Sequence, residues 1–250
     1  GSCSMIFKIY FLTFIIYSFV GWIMETLFCF FVTKKMVNRG FLIGPICPIY
    51  GVGCMLLIFL LNKYINQPIA LFALSIIVCS ILEYFTSYIM EKLFKVRWWD
   101  YSDKKFNING RICLETMVPF GILGTLIVCY INPFLNNLLM QCNGSVINWF
   151  FYIVFILFIE DLIISLKVVT NIKVITSNVL KDNTEEINNK FKDVLMNKIK
   201  AIKGNKDSVN KKIKSILTSE SYFTKRFVNS FPKFKIMNKI KIERKNKNVK

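Results

Sequence analysis

A carboxylate lies inside an apolar stretch of the sequence that is long enough to cross a lipid bilayer. It is Glu83, within Pro68–Phe94, and three polar residues stand around it at helical spacing: Ser80, Ser87 and Glu91. Steps of three and four residues place all four on one stripe of an α-helix. A carboxylate at membrane depth costs about 2.5–3.5 kcal/mol and usually faces a protein interior or a water-filled cavity. We expect the stripe to line a pathway, or to fix helix packing through an ion-paired or protonated Glu83.

A second carboxylate, Glu25, lies about three-quarters of the way through the first apolar segment. It belongs to the motif GWxxE at residues 21–25, whose glycine permits close approach of another helix. Glu25 can reach the same interior as Glu83, where two unpaired carboxylates repel each other and one protonates. A cation, whether Arg39, Arg111 or a substrate, would relieve that repulsion.

Five apolar segments are long enough to cross about 30 Å of hydrocarbon at about 1.5 Å per residue. Lysine and arginine are frequent in the first and third connections between them and rare in the second and fourth. This distribution predicts that the N-terminus lies outside and the C-terminal tail lies inside. The predicted fold is therefore all-α, a polytopic bundle of about five transmembrane helices. Its segments are Ile6–Val32, Pro48–Asn62, Pro68–Phe94, Cys113–Ile131 and Val146–Leu166.

Two connections on the predicted cytoplasmic side concentrate arginines, carboxylates and turn residues. Residues 38–51 have the glycine and proline density of a rigid loop that enters the bilayer, and residues 97–111 contain RWWDYS and the turn Asn109-Gly110. We expect the two connections to converge into one polar cluster. Its expected members are Arg39, Arg97, Asp100 and Arg111, with Glu91 pairing with Arg97 or Lys95, and Arg111 with Glu115.

The composition excludes several classes of site. The 250 residues contain no histidine, which rules out His-based triads, His metal ligands and His proton relays. The eight cysteines are scattered without a CxxC pair, so we expect no metal site and no cofactor. Only Cys3 and Cys142 are predicted to face the outer side, where a disulfide can form between them. No GxxxxGK[ST] phosphate loop is present, so the chain is not itself an ATPase.

The sequence divides into a transmembrane helical domain, residues 1–166, and a basic cytoplasmic tail, residues 167–250. The tail carries 22 of the 33 Lys and Arg residues against 7 of the 15 Asp and Glu residues. Apolar spacing predicts one amphipathic helix capped by Asn183 or Thr184, a second over residues 209–217, and three phenylalanines at i+4 spacing after it. These elements either lie on a membrane surface or pack on one another. The positive charge serves solvation or anionic-lipid binding, and nucleic acid is disfavoured.

Four motifs that occur in order resemble those of a known family, the bacterial CmpB-like multi-pass membrane proteins of ABC-transporter type IV, often labelled ABC transporter permeases. The resemblance covers about residues 6–135. It implies a multi-pass protein of the bacterial cytoplasmic membrane that acts in transport, with a separate ATPase or another membrane subunit as a partner. The motifs are GWxxE (21–25), NRGFLxGPxxPIYG (38–51), EYxxSxxxExLFxxRWWDYS (83–102) and NxNGRIxLE (107–115).

Three functions fit these features. The first is a permease-like transport subunit without catalytic residues. The second is a membrane-embedded enzyme on a lipid-phosphate substrate, with Asp100, Glu91 or Glu115 as acid or base and arginines holding phosphate. The third is a scaffold or regulator with a lipid-binding tail. The substrate or coupling path expected for the first function is Glu25, Arg39, Glu83, Ser87, Glu91, Arg97, Asp100, Arg111 and Glu115.

Overall fold

The computed structural model describes residues 2–34, 38–94, 96–193 and 235–236, and these residues are mostly helical, as expected. A short 3₁₀ turn, Asn62–Tyr64, follows the second helix. The α-helices among the described residues are α1 (Ser2–Thr33), α2 (Pro48–Leu61), α3 (Pro68–Phe94), α4 (Leu114–Leu126), α5 (Asn132–Gln141) and α6 (Gly144–Asp193).

Three helical stretches are long and apolar enough to cross a membrane: Cys3–Phe31, Pro68–Phe94 and Leu114–Gln141. The second predicted segment is a shorter apolar helical stretch, Pro48–Tyr64. The fifth lies within α6, whose 50 residues extend well beyond it. The described helices therefore identify a membrane protein.

A π-helical turn, Ile127–Ile131, joins α4 to α5 without a break. Pro133 follows this turn and lacks the backbone N–H that would bond the carbonyl of Cys129. Because proline removes that hydrogen bond, the helix changes its bonding pattern locally and continues. The fourth apolar helix is consequently longer than the predicted Cys113–Ile131.

Helix α6 runs without interruption from Gly144 to Asp193, so the prediction that a new helix starts at Asn183 or Thr184 is wrong. No glycine or proline occurs between residues 145 and 193, and nothing in the sequence therefore stops the helix. The predicted helix over residues 209–217 and the phenylalanines after it lie outside the described residues.

Glycines allow the neighbouring helices to approach closely. A Cβ atom on Gly21 of α1 would lie 2.4 Å from Cβ of Tyr50 on α2. A Cβ atom on Gly124 of α4 would lie 2.5 Å from Cβ of Ser75 on α3. Small residues at such positions are typical of packed membrane helices. An apolar core joins α2, α3 and the π turn through Leu57, Leu61, Leu71 and Val128.

Helices α1 and α6 run in the same direction. Near their starts, Lys8 Nζ donates to Asn148 Oδ1 at 2.7 Å. Further along both helices, the rings of Phe14 and Phe158 pack edge to face, with centroids 5.8 Å apart. The end of α1 and the middle of α6 therefore lie at the same end of the bundle.

Two small ladders shape the connections at that end. Strands β2 (Asn107–Ile108) and β3 (Ile112–Cys113) form a hairpin, and β1 (Val96–Arg97) pairs antiparallel with β4 (Lys235–Ile236). At the hairpin turn, φ is 52° for Asn109 and 66° for Gly110, the two positive values that a tight Asn-Gly turn requires. The predicted turn at these two residues is confirmed.

Candidate functional site

The two predicted polar connections meet at one end of the bundle, which we call the polar end. It comprises the loop of residues 38–47, the connection of residues 96–113 and the helix ends beneath them. The ring of Phe41, in the loop, packs 6.3 Å from Phe94 and 6.5 Å from Trp98, measured between centroids. These aromatic contacts fix the loop against the end of α3 and bring the charged residues of both connections together.

The GWxxE motif holds the loop through two of its side chains. Trp22 Nε1 donates to Asn38 Oδ1 at 2.6 Å. Glu25 Oε1 accepts a hydrogen bond from the Tyr50 hydroxyl at 2.5 Å, and Arg39 Nε lies 3.5 Å from Glu25 Oε2. Because Gly21 leaves room for Tyr50, the tyrosine reaches the carboxylate one helical turn further along α1. The spacing of the motif therefore follows from the contact between α1 and α2.

Glu91 receives two arginines at the end of α3. Arg97 Nε and Arg111 Nη2 each lie 3.0 Å from Glu91 Oε2. Arg111 is buried and also donates from Nη1 to Ser87 Oγ at 3.2 Å. Its guanidinium lies over the rings of Tyr84 and Tyr88, 5.7 Å and 5.5 Å from their centroids. Buried pairs with such additional hydrogen bonds and ring contacts are well compensated.

Asp100 closes the same arginine cluster from the connection. Its Oδ1 lies 3.5 Å from Arg97 Nη1 and accepts hydrogen bonds from the backbone N–H and the hydroxyl of Ser102, at 3.0 Å and 2.5 Å. A Cβ atom on Gly110 would lie 2.6 Å from Asp100 Oδ1. The Asn-Gly turn is therefore needed both for its backbone conformation and for the space that it leaves around this carboxylate.

Glu83 differs from the other acidic residues of the polar end. It is 8% exposed, and its Oε1 accepts one long hydrogen bond, 3.3 Å, from the Tyr101 hydroxyl. Its Oε2 has no hydrogen-bond partner among the described residues, and neither has the hydroxyl of Ser80 three residues earlier. The Thr116 hydroxyl lies near Glu83, but its hydrogen bond goes to the Cys113 carbonyl, at 2.9 Å. Glu83 is thus the least compensated carboxylate of the cluster.

Tyr101 stands between the two carboxylates of the interior. Burial raises its pKa well above the usual range, and the negative charges of Glu83 and Glu25 raise it further. The phenol consequently keeps its proton at all physiological pH values and acts as a hydrogen-bond donor. Its hydroxyl donates to Glu83 on α3.

A carboxylate on α6 holds the loop from the opposite side. Asp161 Oδ1 and Oδ2 accept the backbone N–H groups of Ile43 and Gly44, both at 2.9 Å. Ser165 Oγ accepts from Ile43 N at 3.0 Å and donates to Asp161 Oδ1 at 3.2 Å. Two consecutive N–H groups form a small concave anion site. From the sequence alone, Glu160 and Asp161 are carboxylates at depth in the last apolar segment, and we expect them to pair with the arginines or to form a second polar site. The structure gives Asp161 a loop backbone as its partner instead.

A profile of the family described as "Putative ABC-transporter type IV" matches residues 12–166. The chain belongs to this family. No curated protein and no solved structure matches the chain. The match extends past the residues 6–135 that the motifs cover and includes the first part of α6. The contact of Asp161 and Ser165 with the loop therefore lies within the part of the chain that this family defines.

One charged residue of the family motifs, Glu115, lies outside the arginine cluster of the polar end. Glu115 begins α4 outside the cluster, its side chain is 62% exposed, and it lies 2.6 Å from Lys104 Nζ. The expected Arg111–Glu115 pair is wrong, because Arg111 turns towards Glu91 instead. The hydrogen bond to Glu115 raises the pKa of Lys104, as expected for a surface ion pair.

The cysteines and the remaining acidic residues add no further centre in the described part of the chain. Cys3 and Cys142 are exposed free thiols, so the disulfide considered for them does not form. No group of three or more His, Cys, Asp or Glu side chains that could hold a metal ion occurs among the described residues. Glu160, next to Asp161, is exposed and makes no contact of its own there.

Proposed function

We propose that the chain is a permease-like subunit of a transport system in the bacterial cytoplasmic membrane, with the polar end as its substrate or coupling path. The observation that carries this proposal is Glu83, a buried carboxylate in a helix long enough to span the membrane, with one oxygen that no described residue satisfies. Intramembrane carboxylates of this kind mark substrate and ion pathways. Membership of the family supports a role in transport.

The proposed topology has five crossings, with the N-terminus outside and the tail inside. Helices α1 and α6 run in the same direction, as the first and fifth crossings must. The polar end, where loop residues 38–47 and the connection of residues 96–113 meet, is then cytoplasmic. The loop forms a cover of irregular backbone held by Asp161, a conformation that membranes tolerate where protein surrounds it. A separate ATPase or another membrane subunit would dock at this end.

The pairing of the arginines favours transport over a lipid-phosphate enzyme. An enzyme of that class would need guanidinium groups free to hold phosphate. In this structure Arg39 lies beside Glu25, and Arg97 and Arg111 share Glu91. Carboxylates thus occupy the positions that a phosphate would take.

Uptake into proteoliposomes tests the proposal. Vesicles containing the full chain receive a defined mixture of amino acids, amines, nucleosides and inorganic ions under an imposed ion gradient, and their contents are quantified by mass spectrometry. We expect at least one solute to accumulate faster than in protein-free vesicles, and Glu83→Gln to abolish that difference. Asp103→Asn changes an exposed carboxylate of the same connection and should leave uptake unchanged. Uptake equal to that of protein-free vesicles for every solute would overturn the proposal.

A regulatory scaffold is the second candidate, and one contact favours it. Lys235–Ile236 of the tail pairs with Val96–Arg97, so the tail returns to the polar end beside the Arg97 backbone. Deletion of residues 167–250 distinguishes the two functions. If the deletion abolishes activity while Glu83→Gln does not, the scaffold is the better description.

A further inference from the structure

The charged groups of the polar end leave one negative charge without a partner. Its inner cluster consists of four carboxylates, Glu25, Glu83, Glu91 and Asp100, and three guanidinium groups, Arg39, Arg97 and Arg111. The exposed Asp103, Lys104 and Lys105 and the loop-bound Asp161 lie outside this cluster. Three of the carboxylates have an arginine nitrogen within 3.5 Å, whereas Glu83 has none among the described residues. With all seven groups ionised, the cluster would carry a net charge of −1, and the excess would lie on Glu83.

The hydrogen bonds around Glu83 are too few for a carboxylate. A carboxylate that stays ionised in a protein interior usually accepts several hydrogen bonds or faces a cation. Glu83 accepts one from the neutral Tyr101 hydroxyl, at 3.3 Å. A protonated Glu83 needs less, because a neutral carboxylic acid loses far less hydration on burial than a carboxylate, while Oε1 still accepts from Tyr101. The buried Ser80 hydroxyl, on the same stripe, has no hydrogen-bond partner among the described residues either, so it does not donate to Glu83.

A metal ion fits this neighbourhood less well than a proton. Hard cations such as Ca²⁺ and Mg²⁺ take about six or more oxygen ligands, several of them from protein. On this stripe Glu83 Oε2 and Ser80 Oγ are the unsatisfied oxygens among the described residues. Two such oxygens are too few to replace the shell of a hard ion, whereas a proton needs only the carboxylate oxygen that it binds.

We propose that Glu83 is a proton-binding site and that the transport proposed above is coupled to the proton gradient through it. The inference rests on the proposed function for its coupling but not for the protonation itself. In the closed arrangement Glu83 is a neutral carboxylic acid. When a cationic group reaches Oε2 together with water, the O–H bond breaks and the proton is transferred to that water at the polar end. The carboxylate that remains is balanced by the arriving charge.

The groups that face Glu83 come from each packed element. They are Glu25 on α1, Tyr50 on α2 through its bond to Glu25, Cys79 on α3 itself, Thr116 on α4 and Tyr101 in the connection. None of these is a cation, and the guanidinium of Arg111, one turn further along α3, is held by Glu91 and Ser87. Arg39 is the cation of the loop, and it pairs with Glu25. Movement of the loop would carry the Arg39 guanidinium from Glu25 to Glu83, where its positive charge would favour release of the Glu83 proton.

Infrared difference spectroscopy detects the protonation without any transport. The reconstituted full chain is compared in acidic and alkaline buffer, and the carbonyl stretch of a protonated carboxyl is followed. We expect one such band that Glu83→Gln removes, Glu83→Asp shifts and Asp103→Asn leaves in place. The aspartate variant keeps the test valid if the glutamine variant fails to fold. A band unaffected by either change at Glu83, or the absence of such a band, would overturn the proposal.

Proton flux tests the coupling separately. Proteoliposomes with a trapped pH-sensitive dye receive an inward pH gradient under a clamped potential. We expect Glu83→Gln to slow acidification by roughly a hundredfold, the lower end of the contribution of a positioned proton-transfer group. If a sodium gradient at equal pH drives the same Glu83-dependent flux, the site takes up a metal cation and the proton assignment is overturned. A Glu83-dependent infrared band without any flux would leave the site intact and count against the transport function.

Discussion

Asp161 and Glu83 are both carboxylates in apolar helices, yet their surroundings are opposite. Asp161 accepts two backbone N–H groups of the loop at 2.9 Å and the Ser165 hydroxyl at 3.2 Å. Glu83 accepts one long hydrogen bond from a neutral phenol. Hydropathy marks both residues as costly, but only the donors around each carboxylate show what it does. A satisfied carboxylate holds structure together, whereas an unsatisfied one remains able to change its protonation or its partner.

The largest effect on stability is expected for Asp161→Ala. The change removes the acceptor of the Ile43 and Gly44 N–H groups and leaves both without their bond to a charged partner. Hydrogen bonds to charged groups contribute about 1.5–3 kcal/mol each, so we expect a loss of about 3 kcal/mol in the free energy of unfolding. Reversible unfolding in mixed detergent micelles, followed by tryptophan fluorescence, measures it.

The neighbouring residue supplies the matched control. Glu160→Ala removes an exposed carboxylate that makes no hydrogen bond or ion pair with a described residue, and it should change the free energy of unfolding by about 0.5 kcal/mol or less. In a background where Cys47 is the remaining cysteine, Asp161→Ala should also speed thiol labelling, because this buried thiol lies in the loop. Equal stability for the two alanine variants would show that Asp161 does not hold the loop.

A smaller effect is expected for Gly44→Ala. The added Cβ atom would lie 2.7 Å from Asp161 Oδ2, so either the carboxylate or the loop must move. Overpacking of this kind costs about 1–3 kcal/mol, and we expect the lower end because one side of the contact is a side chain. The same unfolding measurement in the Asp161→Ala background should show almost no cost. An additive double variant would contradict a direct contact between the two residues.

The sequence predicts the elements of the polar end better than their partners. The apolar bounds of α3, the Asn109-Gly110 turn and the Glu91–Arg97 pair follow from local rules of length, turn chemistry and spacing, and the structure has all three. Glu115 sits four residues from Arg111, but the fold directs the arginine to Glu91. The contact of Asp161 with the loop joins residues more than a hundred positions apart. The donors to Asp161 are backbone N–H groups, which every residue except proline has, so no residue type in the loop indicates the contact.

Among the changes at the polar end, the smallest effect on stability is expected for Glu83→Gln. A neutral amide of similar shape replaces a group that we propose to be neutral already, so the free energy of unfolding should change by about 1 kcal/mol or less. Removing one member of a buried ion pair costs about 3–5 kcal/mol instead. A loss of that size in the micelle measurement would mean that Glu83 is ionised and charge-paired, and the contrast with Asp161 would disappear.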